Sequence, residues 1–153
     1  LVTYFGIFNH IKHFMTTHTS RQLYFAFIYS RISYGIEVYG NCSNHSLAKL
    51  QTIQNKLLKL ILQKTMRTST NILHRNVHLL KVKDYQKVRI LLFVNSCLLK
   101  SNPAIFHTYY NERTLHYDVR NPELYLHRTR TILGSHSVFI YGAKLWNNLD
   151  GTI

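Results

Sequence analysis

The stretch SLAKLQTIQNKLLKLILQ, residues 46–63, decides the fold class of this 153-residue chain. Its apolar side chains recur at steps of three and four residues, the spacing that places them on one face of an α-helix. They are Leu47, Leu50, Ile53, Leu57, Leu58 and Ile61. Ser46 stands where a serine hydroxyl can cap the first turn. The pattern predicts an amphipathic helix from Ser46 to Gln63 that packs one face against a core.

The opposite side of this helix is polar and largely basic. At about 100° per residue, one narrow stripe collects its polar side chains. The members of the stripe are Lys49, Thr52, Lys56, Lys59 and Gln63. Because exposed ammonium groups can neutralise phosphates, we predict that the lysines of this stripe follow a nucleic-acid backbone.

A second helix is predicted to start at Asp84, an acceptable cap, and to run until Asn102 and Pro103 stop it. It is apolar nearly all round, so we expect it to be buried. A basic cluster stands at its beginning, where the helix dipole disfavours cations. The cluster consists of Lys81, Lys83, Lys87 and Arg89. An anion bound at the helix start would offset that cost.

Shorter elements complete the expected fold. Thr70–Asn76 and Pro103–Tyr110 read as short helices, and Gln22–Tyr34 is interpreted as a helix rather than a strand. In the tail, Ser137–Tyr141 (SVFIY) predicts a short strand and Ala143–Leu149 a last helical turn. The chain is thus predicted to be mainly α: a small helical bundle over residues 1–110, followed by a short α+β or irregular C-terminal element, residues 111–153, packed on it.

The charge of the chain points to an anionic partner. Nineteen Lys and Arg against six Asp and Glu give +13, and residues 41–100 hold eleven of these cations against Asp84 alone. Nucleic acid and an acidic membrane surface both satisfy such an excess. No apolar run approaches the roughly 18 residues of a membrane span, so we expect no transmembrane segment.

Two further features bear on compartment and completeness. The chain has no recognisable secretory signal, and its cysteines, Cys42 and Cys97, form no CxxC pair. We therefore expect a nuclear or cytoplasmic protein that is not secreted. The first methionine is Met15, from which we expect a fragment, a processed chain or a truncated gene model.

Catalytic and metal-binding motifs are missing from the sequence. Two-metal phosphoryl transfer needs gathered carboxylates, yet no two acids are adjacent. The acids are Glu37, Asp84, Glu112, Asp118, Glu123 and Asp150. The pair His74 and His78 lacks the glutamate of HExxH, and no GxSxG, Walker or GxGxxG motif occurs. We expect no catalytic residue, metal site, cofactor or small-molecule substrate in this chain.

The tail interleaves basic residues with aromatic ones, a texture that suits unpaired nucleic acid. The residues concerned are Arg120, Tyr125, Arg128, Arg130, Phe139 and Tyr141. The guanidinium groups would contact phosphates and the rings would stack on bases. The alternative interpretation places the aromatics in the core and leaves the arginines as plain surface charges.

Several blocks of the sequence, in this order, resemble the region after the catalytic palm in reverse transcriptases of non-LTR (LINE-type, jockey-like) retrotransposons. They are LYFAFIYSRISYGIEVYGN (23–41), LAKLQTIQNKLLKLIL (47–62), HLLKVKDYQKVRILLFV (78–94), NPAIF (102–106), YDVRN (117–121) and HRTRTILGSHSVFIYGAKLWNNL (127–149). The resemblance covers nearly the whole chain. It departs from the family at Ser30, Tyr39 and Asp150, where proline, tryptophan and proline are common.

The resemblance implies a helical thumb and C-terminal segment that holds template and primer beside an active site elsewhere in the polymerase. The catalytic Asp-Asp motif of the family, with its Mg²⁺, belongs to an upstream palm, and nothing in this chain matches it. The expected function is non-specific RNA and DNA binding within an RNA-directed DNA polymerase. Two alternatives remain open: a free-standing basic helical RNA- or DNA-binding protein, and a peripheral membrane protein that uses the Leu47–Ile61 helix.

Overall fold

The structure is a computed structural model that describes residues 2–11, 13–41, 44–111 and 123–149, with only the backbone of residues 2–5 and 44. The helices are α1 (Val2–Ile11), α2 (Thr17–Leu23), α3 (Ser30–Ser33), α4 (Ile36–Tyr39), α5 (Asn44–Ile61), α6 (Thr70–Val77), α7 (Val82–Leu98), α8 (Ile132–Ser135) and α9 (Val138–Asn147). A π-helix, Tyr24–Tyr29, joins α2 to α3, and a 3₁₀ turn spans Ala104–Phe106. None of the described residues forms a β-strand, and the fold is mainly α, as predicted.

The contacts divide the chain into two compact units. The N-terminal unit takes in the described residues of Leu1–Ile36 and Cys42–Tyr85, and the C-terminal unit those of Glu37–Asn41 and Gln86–Ile153. Helix α7 therefore contributes its first turn to one unit and the remainder to the other. The division at residue 110 stays a prediction; in the structure Ile90, Val94 and Cys97 of α7 pack with Tyr110, Leu124 and Ala143.

The core of the N-terminal unit forms around the apolar face of α5, which packs against α1, α2 and α6. Its fully buried side chains include Leu57 and Leu58 of α5 and Ile28 of the π-helix. Phe8, Val77 and Val82 are buried in the same cluster. Burial of a leucine-sized side chain contributes roughly 1.5–3 kcal/mol, so each buried leucine of α5 adds substantially to the stability of this unit.

The core of the C-terminal unit is smaller and richer in rings. Ile90, Val94 and Cys97 of α7 are buried with Tyr110, Leu124 and Ala143. Partly buried rings pack around them: Phe93, Phe106, Phe139, Tyr141 and Trp146. The Asn147 side chain ties this unit together, since it accepts from Leu124 N–H at 2.8 Å and donates to the Leu124 carbonyl at 2.9 Å.

The predictions of helices at α5, α6 and α7 are confirmed, and helix was the correct choice for 22–34. The proposed caps are wrong, because Ser46 lies inside α5 and Asp84 lies inside the first turn of α7. Only Ala104–Phe106 of the segment predicted as helical after Pro103 is helical, and it is a 3₁₀ turn. The second helix is also less buried than expected, since Val88 is 41% and Leu92 55% exposed.

The predicted strand at Ser137–Tyr141 is wrong: Ser137 caps α9, and Val138–Asn147 is helical. The Ser137 hydroxyl accepts a hydrogen bond from Ile140 N–H at 3.4 Å, as N-cap serines do. The helix buries Ile140 and Ala143 on one side. Valine, phenylalanine and isoleucine favour strands only weakly in free energy. The burial of one face of α9 outweighs that preference.

Candidate nucleic-acid interface

Lys49 and Lys56 lie on the exposed side of α5, as predicted. Seven residues separate them, so they project from almost the same side of the helix and are about 10 Å apart along its axis. Along the axis of B-DNA each strand carries one phosphate per about 3.4 Å, so that distance corresponds to roughly three base pairs of axial length. The opposite side of the helix is fixed by Leu57 and Leu58 in the core, so the two ammonium groups stand on a rigid support.

Lys59, the third lysine of the predicted stripe, behaves differently. It is half-buried, and its Nζ donates a hydrogen bond to the carbonyl of Met66. The side chain lines a recess of about 420 Å³ together with His13, Lys64 and Met66. Lys59 is therefore a weaker candidate for a phosphate contact than Lys49 or Lys56, although its charge still contributes to the local field.

Gln63, at the end of the predicted stripe, lies beyond the last turn of α5. Its φ is 49°, in the left-handed region. Gln63 N–H donates to the Leu60 carbonyl at 3.1 Å, and Lys64 N–H donates to the Lys59 carbonyl at 2.8 Å. This pair of bonds is the Schellman arrangement that ends a helix. The polar stripe therefore stops at Lys59.

The start of α7 is attached to α5 by one side chain. Gln51 Oε1 accepts from Val82 N–H at 2.8 Å, which satisfies a backbone donor at the start of α7. Lys81 and Lys83 flank Val82 and are both exposed. The N-terminal unit thus presents four of the predicted basic residues to solvent: Lys49, Lys56, Lys81 and Lys83.

The two remaining members of the predicted basic cluster belong to the C-terminal unit. Lys87 is half-buried. Arg89 forms a salt bridge with Glu37: its Nη2 lies 2.6 Å and its Nε 2.7 Å from Glu37 Oε1. Arg89 is 43% exposed and Glu37 17%. Because the pair is already made, Arg89 is a poor candidate for a phosphate contact.

The structure describes only part of the basic and aromatic tail. Arg128 and Arg130 are exposed, in a segment without regular secondary structure, and Tyr125 is exposed beside them. Phe139 and Tyr141 lie on α9 and are partly buried against the core. Arg120 lies outside the described residues. The exposed arginines fit either interpretation of the tail, whereas the packing of Phe139 and Tyr141 against the core fits the alternative one.

Carboxylates are sparse in the part of the chain that the structure describes. Glu37, Asp84 and Glu123 are its only acids, while Glu112, Asp118 and Asp150 lie outside the described residues. No group of three His, Cys, Asp or Glu side chains within the described ranges is arranged to hold a metal ion. Among the same residues, no helix is long and apolar enough to cross a membrane.

His74 and His78 do not form a pair. His74 is buried, and its ring nitrogens lie against Asn55 and the Leu79 carbonyl. His78 adopts φ 54° where α6 ends. Burial lowers the pKa of His74, the hydrogen bond with Leu79 raises it, and nearby Lys81 lowers it further. His74 is therefore a buried structural residue.

A network of polar side chains holds α5 against its neighbours. Gln54, almost fully buried, donates from Nε2 to Tyr24 Oη at 3.1 Å and faces the Leu80 carbonyl at 3.4 Å. Burial raises the pKa of Tyr24 to about 12, although the hydrogen bond from Gln54 lowers it. Tyr24 stays neutral at physiological pH and is a structural group.

The C-terminal unit contains two comparable groups. Burial raises the pKa of Tyr110, whose Oη donates to the Val138 carbonyl at 3.0 Å. Burial also raises the pKa of the Cys97 thiol, which accepts from Asn102 Nδ2 at 3.3 Å. A buried thiol with a raised pKa is a poor nucleophile. Neither group is suited to catalysis.

Sequence reasoning missed two features of these surfaces. Residues 63–66 follow α5 and form one wall of the recess beside Lys59, where Lys64 and His13 add further basic groups. Tyr109 and His127 extend the ring contacts of Phe139. Both features depend on loop conformation, for which the residue pattern has no periodic signal.

No protein-family model, curated protein sequence or solved structure matches the chain.

Proposed function

We propose that this chain binds nucleic acid through its phosphate backbone, without sequence preference. The observation that carries the proposal is the exposure of Lys49 and Lys56 on one side of a helix whose other side is core. Exposed Lys81 and Lys83 add to the positive charge of the N-terminal unit. The net charge of +13 supports the same conclusion, because phosphate contacts dominate non-specific affinity.

We further propose that the binding serves a reverse transcriptase of the non-LTR retrotransposon type. In that setting the chain is the thumb and downstream region, which grips template and primer, and the catalytic aspartates and Mg²⁺ belong to the palm of the parent polymerase. What supports this is the resemblance of six blocks in register, together with the mainly helical fold. The proposed setting is nuclear or cytoplasmic, where template and primer are available.

A free-standing RNA- or DNA-binding protein remains the second candidate, since its surface would need the same exposed lysines. Reading the genomic sequence upstream of residue 1 separates the two. An open frame that continues into a Tyr/Phe-x-Asp-Asp motif supports the polymerase, whereas a start codon next to the chain with no such motif contradicts it.

The structure argues against membrane binding through the apolar side of α5. A peripheral helix must insert its apolar side chains into lipid, but Leu57, Leu58 and Ile61 are buried in the core of the N-terminal unit. Insertion would require that core to open. The apolar side of α5 is therefore not available to a membrane as the protein is folded.

Direct binding measurements test the proposal. Fluorescence anisotropy with a labelled 20-nucleotide RNA, a DNA of the same sequence and a scrambled DNA should give affinities within a few-fold of one another, all falling as salt rises. Vesicles with anionic lipid at the same salt should bind more weakly in co-sedimentation. Tighter binding to vesicles, or no salt-dependent binding to any nucleic acid, would contradict the proposal.

A further inference from the structure

A cleft of about 400 Å³ opens in the C-terminal unit at the first turn of α9. Its lining residues are Thr108, Tyr109, Ser137, Val138 and Phe139. None of these side chains carries a charge at neutral pH, and two of them are aromatic. Ligand pockets in proteins begin at about 300 Å³. The cleft is therefore of a size for one flat ring system with a short polar attachment.

The aromatic walls of the cleft are held in place by neighbouring rings. Tyr109 and Phe139 meet edge to face with centroids 5.5 Å apart. Phe106 contacts the Tyr109 ring at 5.2 Å, and His127 lies over Phe139 at 4.9 Å with only 33° between the ring planes. Because these contacts fix the rings before any ligand arrives, little side-chain entropy is lost on binding.

One wall of the cleft is accessible from solvent. Tyr109 is 36% exposed, so part of its ring surface is free for a further aromatic contact. The outer end of the ring series is exposed as well: Tyr125 meets the His127 ring at 4.9 Å and is 54% exposed. Exposed rings in contact with one another are the usual platforms for unpaired bases.

Positive charge lies next to these rings along the chain. Arg128 follows His127 directly, and Arg130 comes two residues later; both are exposed. Consecutive Cα atoms are about 3.8 Å apart, so the Cα atoms of both arginines lie within about 11 Å of that of His127, whose ring covers Phe139. Guanidinium groups bind phosphate oxygens in bidentate fashion and suit the backbone on either side of a stacked base.

We infer that this cleft holds one unpaired nucleobase of a single-stranded nucleic acid against Tyr109 and Phe139, while Arg128 and Arg130 contact the flanking phosphates. Bases within a duplex have both faces covered by their neighbours, so the cleft selects unpaired strand over duplex. The inference rests on the proposed function. It adds that the C-terminal unit recognises single-stranded rather than duplex nucleic acid.

The test compares single-stranded and duplex DNA of equal length with the wild-type chain and Tyr109→Leu, by fluorescence anisotropy at one salt concentration. Tyr109→Leu keeps an apolar side chain and removes the ring. Loss of one stacked base should weaken single-strand binding roughly 5- to 100-fold and leave duplex binding within about twofold. Tyr109→Phe keeps the ring and should bind as wild type does. Tyr34→Leu, which removes an 85% exposed ring in the N-terminal unit, is the matched control and should have no effect.

Two further measurements guard against misfolding of Tyr109→Leu. Thr108→Leu narrows the cleft without removing a ring. It should also weaken binding to single-stranded DNA and leave binding to duplex DNA unchanged. A single-stranded oligonucleotide with one 2-aminopurine should lose fluorescence on binding to wild type, as stacked purines do, and much less on binding to Tyr109→Leu.

The outcomes separate the two proposals. If the wild-type chain binds neither nucleic acid, the proposed function fails and this inference fails with it. If wild type binds, but folded Tyr109→Leu and Thr108→Leu bind single strands as wild type does, the inference alone is overturned. Equal losses for single-stranded and duplex DNA would also overturn it.

Discussion

His74 Nε2 lies 2.9 Å from Asn55 Oδ1, which joins α6 to α5 inside the N-terminal unit. The other ring nitrogen, Nδ1, lies 3.2 Å from the carbonyl of Leu79. Asn55 Oδ1 also accepts from Gln51 Nε2 at 2.8 Å, and Gln51 in turn accepts from Val82 N–H. This partly buried network sets α5 against the start of α7, and with it the basic surface proposed to bind phosphate.

The first prediction concerns pH. Burial lowers the pKa of His74 from its ordinary value of 6.5, although the hydrogen bond with Leu79 opposes that shift. A histidine with a lowered folded-state pKa contributes stability that is complete above the unfolded pKa, near 6.5, and is lost as pH falls toward the folded value. The free energy of unfolding, measured in urea between pH 8 and pH 5, should decrease below about pH 6.5.

The matched variants for this prediction are His74→Gln and His45→Gln. His74→Gln removes the buried titrating group, so its unfolding free energy should vary less with pH than that of wild type. His45→Gln makes the same replacement at an exposed position of α5 and is the control for the substitution itself. A pH dependence that is the same in His74→Gln and wild type would contradict the assignment to His74.

The second prediction concerns the end of α7. Lys100 has φ 52°. Its backbone N–H donates to the Cys97 carbonyl at 3.1 Å, and Ser101 N–H donates to the Ser96 carbonyl at 3.0 Å. A side chain in the left-handed region costs roughly 1–2 kcal/mol, which glycine avoids. Part of the stability that glycine gains by avoiding this cost is offset by its greater conformational entropy in the unfolded chain.

Lys100→Gly should therefore be more stable than Lys100→Ala by about 0.5–1 kcal/mol. Both variants lose the lysine charge near the helix C-terminus, so their difference isolates the backbone effect. Thermal and urea unfolding give the two free energies. An alanine variant as stable as the glycine variant would show that Lys100 does not adopt the left-handed conformation.

The third prediction compares two helical glycines. A Cβ at Gly142 would lie 2.6 Å from Tyr110 Oη and 2.9 Å from Val94 Cγ2, whereas one at Gly6 has nothing within 4 Å. Gly142→Ala should lower the free energy of unfolding by roughly 1–3 kcal/mol through overpacking, despite its better helix propensity. Gly6→Ala should raise it by about 0.5–1 kcal/mol. Equal effects at the two sites would contradict the packing of α9 on α7.

Periodicity was sufficient to predict α5, because its apolar residues recur at helical steps and Leu47, Leu57, Leu58 and Ile61 are buried as that spacing requires. The predictions of α6 and α7 are also confirmed as helices, but α7 exposes Val88 and Leu92. The ends of these helices were harder to predict. Gln63, His78 and Lys100 adopt left-handed conformations that are normally signalled by glycine, and the sequence has no glycine at these positions. The α9 error has a related cause, since β-branched and aromatic residues after Ser137 carry a strand signal that packing overrides.

The interface was predictable only where exposure follows from helix geometry. Lys49 and Lys56 are exposed because Leu50 and Leu57 face inward. The bonding of Lys59 and Arg89 could not be predicted from the sequence. Lys59 donates to the Met66 carbonyl in a loop, and Arg89 pairs with Glu37, 52 positions away in the chain. The Tyr109–Phe139 cleft likewise joins residues 30 positions apart.

The measurement that tests the central claim most directly is the salt dependence of nucleic-acid affinity in Lys49→Gln/Lys56→Gln. The structure favours this pair over a triple variant with Lys59, whose ammonium group is already bonded to Met66. The control is Lys100→Gln/Lys144→Gln, which removes the same charge from exposed positions of the C-terminal unit. Exposed replacements change stability by under about 0.5 kcal/mol, so both proteins should stay folded. Leu57→Ala should lower the free energy of unfolding by roughly 2–5 kcal/mol because it leaves a cavity in the core. This variant shows how affinity changes when binding is lost through unfolding.

If Lys49 and Lys56 each neutralise one phosphate, the slope of log K against log salt should become shallower by roughly 1.4 to 1.8, at about 0.7 to 0.9 per contact. The control pair should change the slope by less than about 0.5, since its lysines lie outside the contact surface proposed for α5. A folded Lys49→Gln/Lys56→Gln protein with the wild-type slope, or with the same change as the control pair, would contradict the assignment of the phosphate contact to α5.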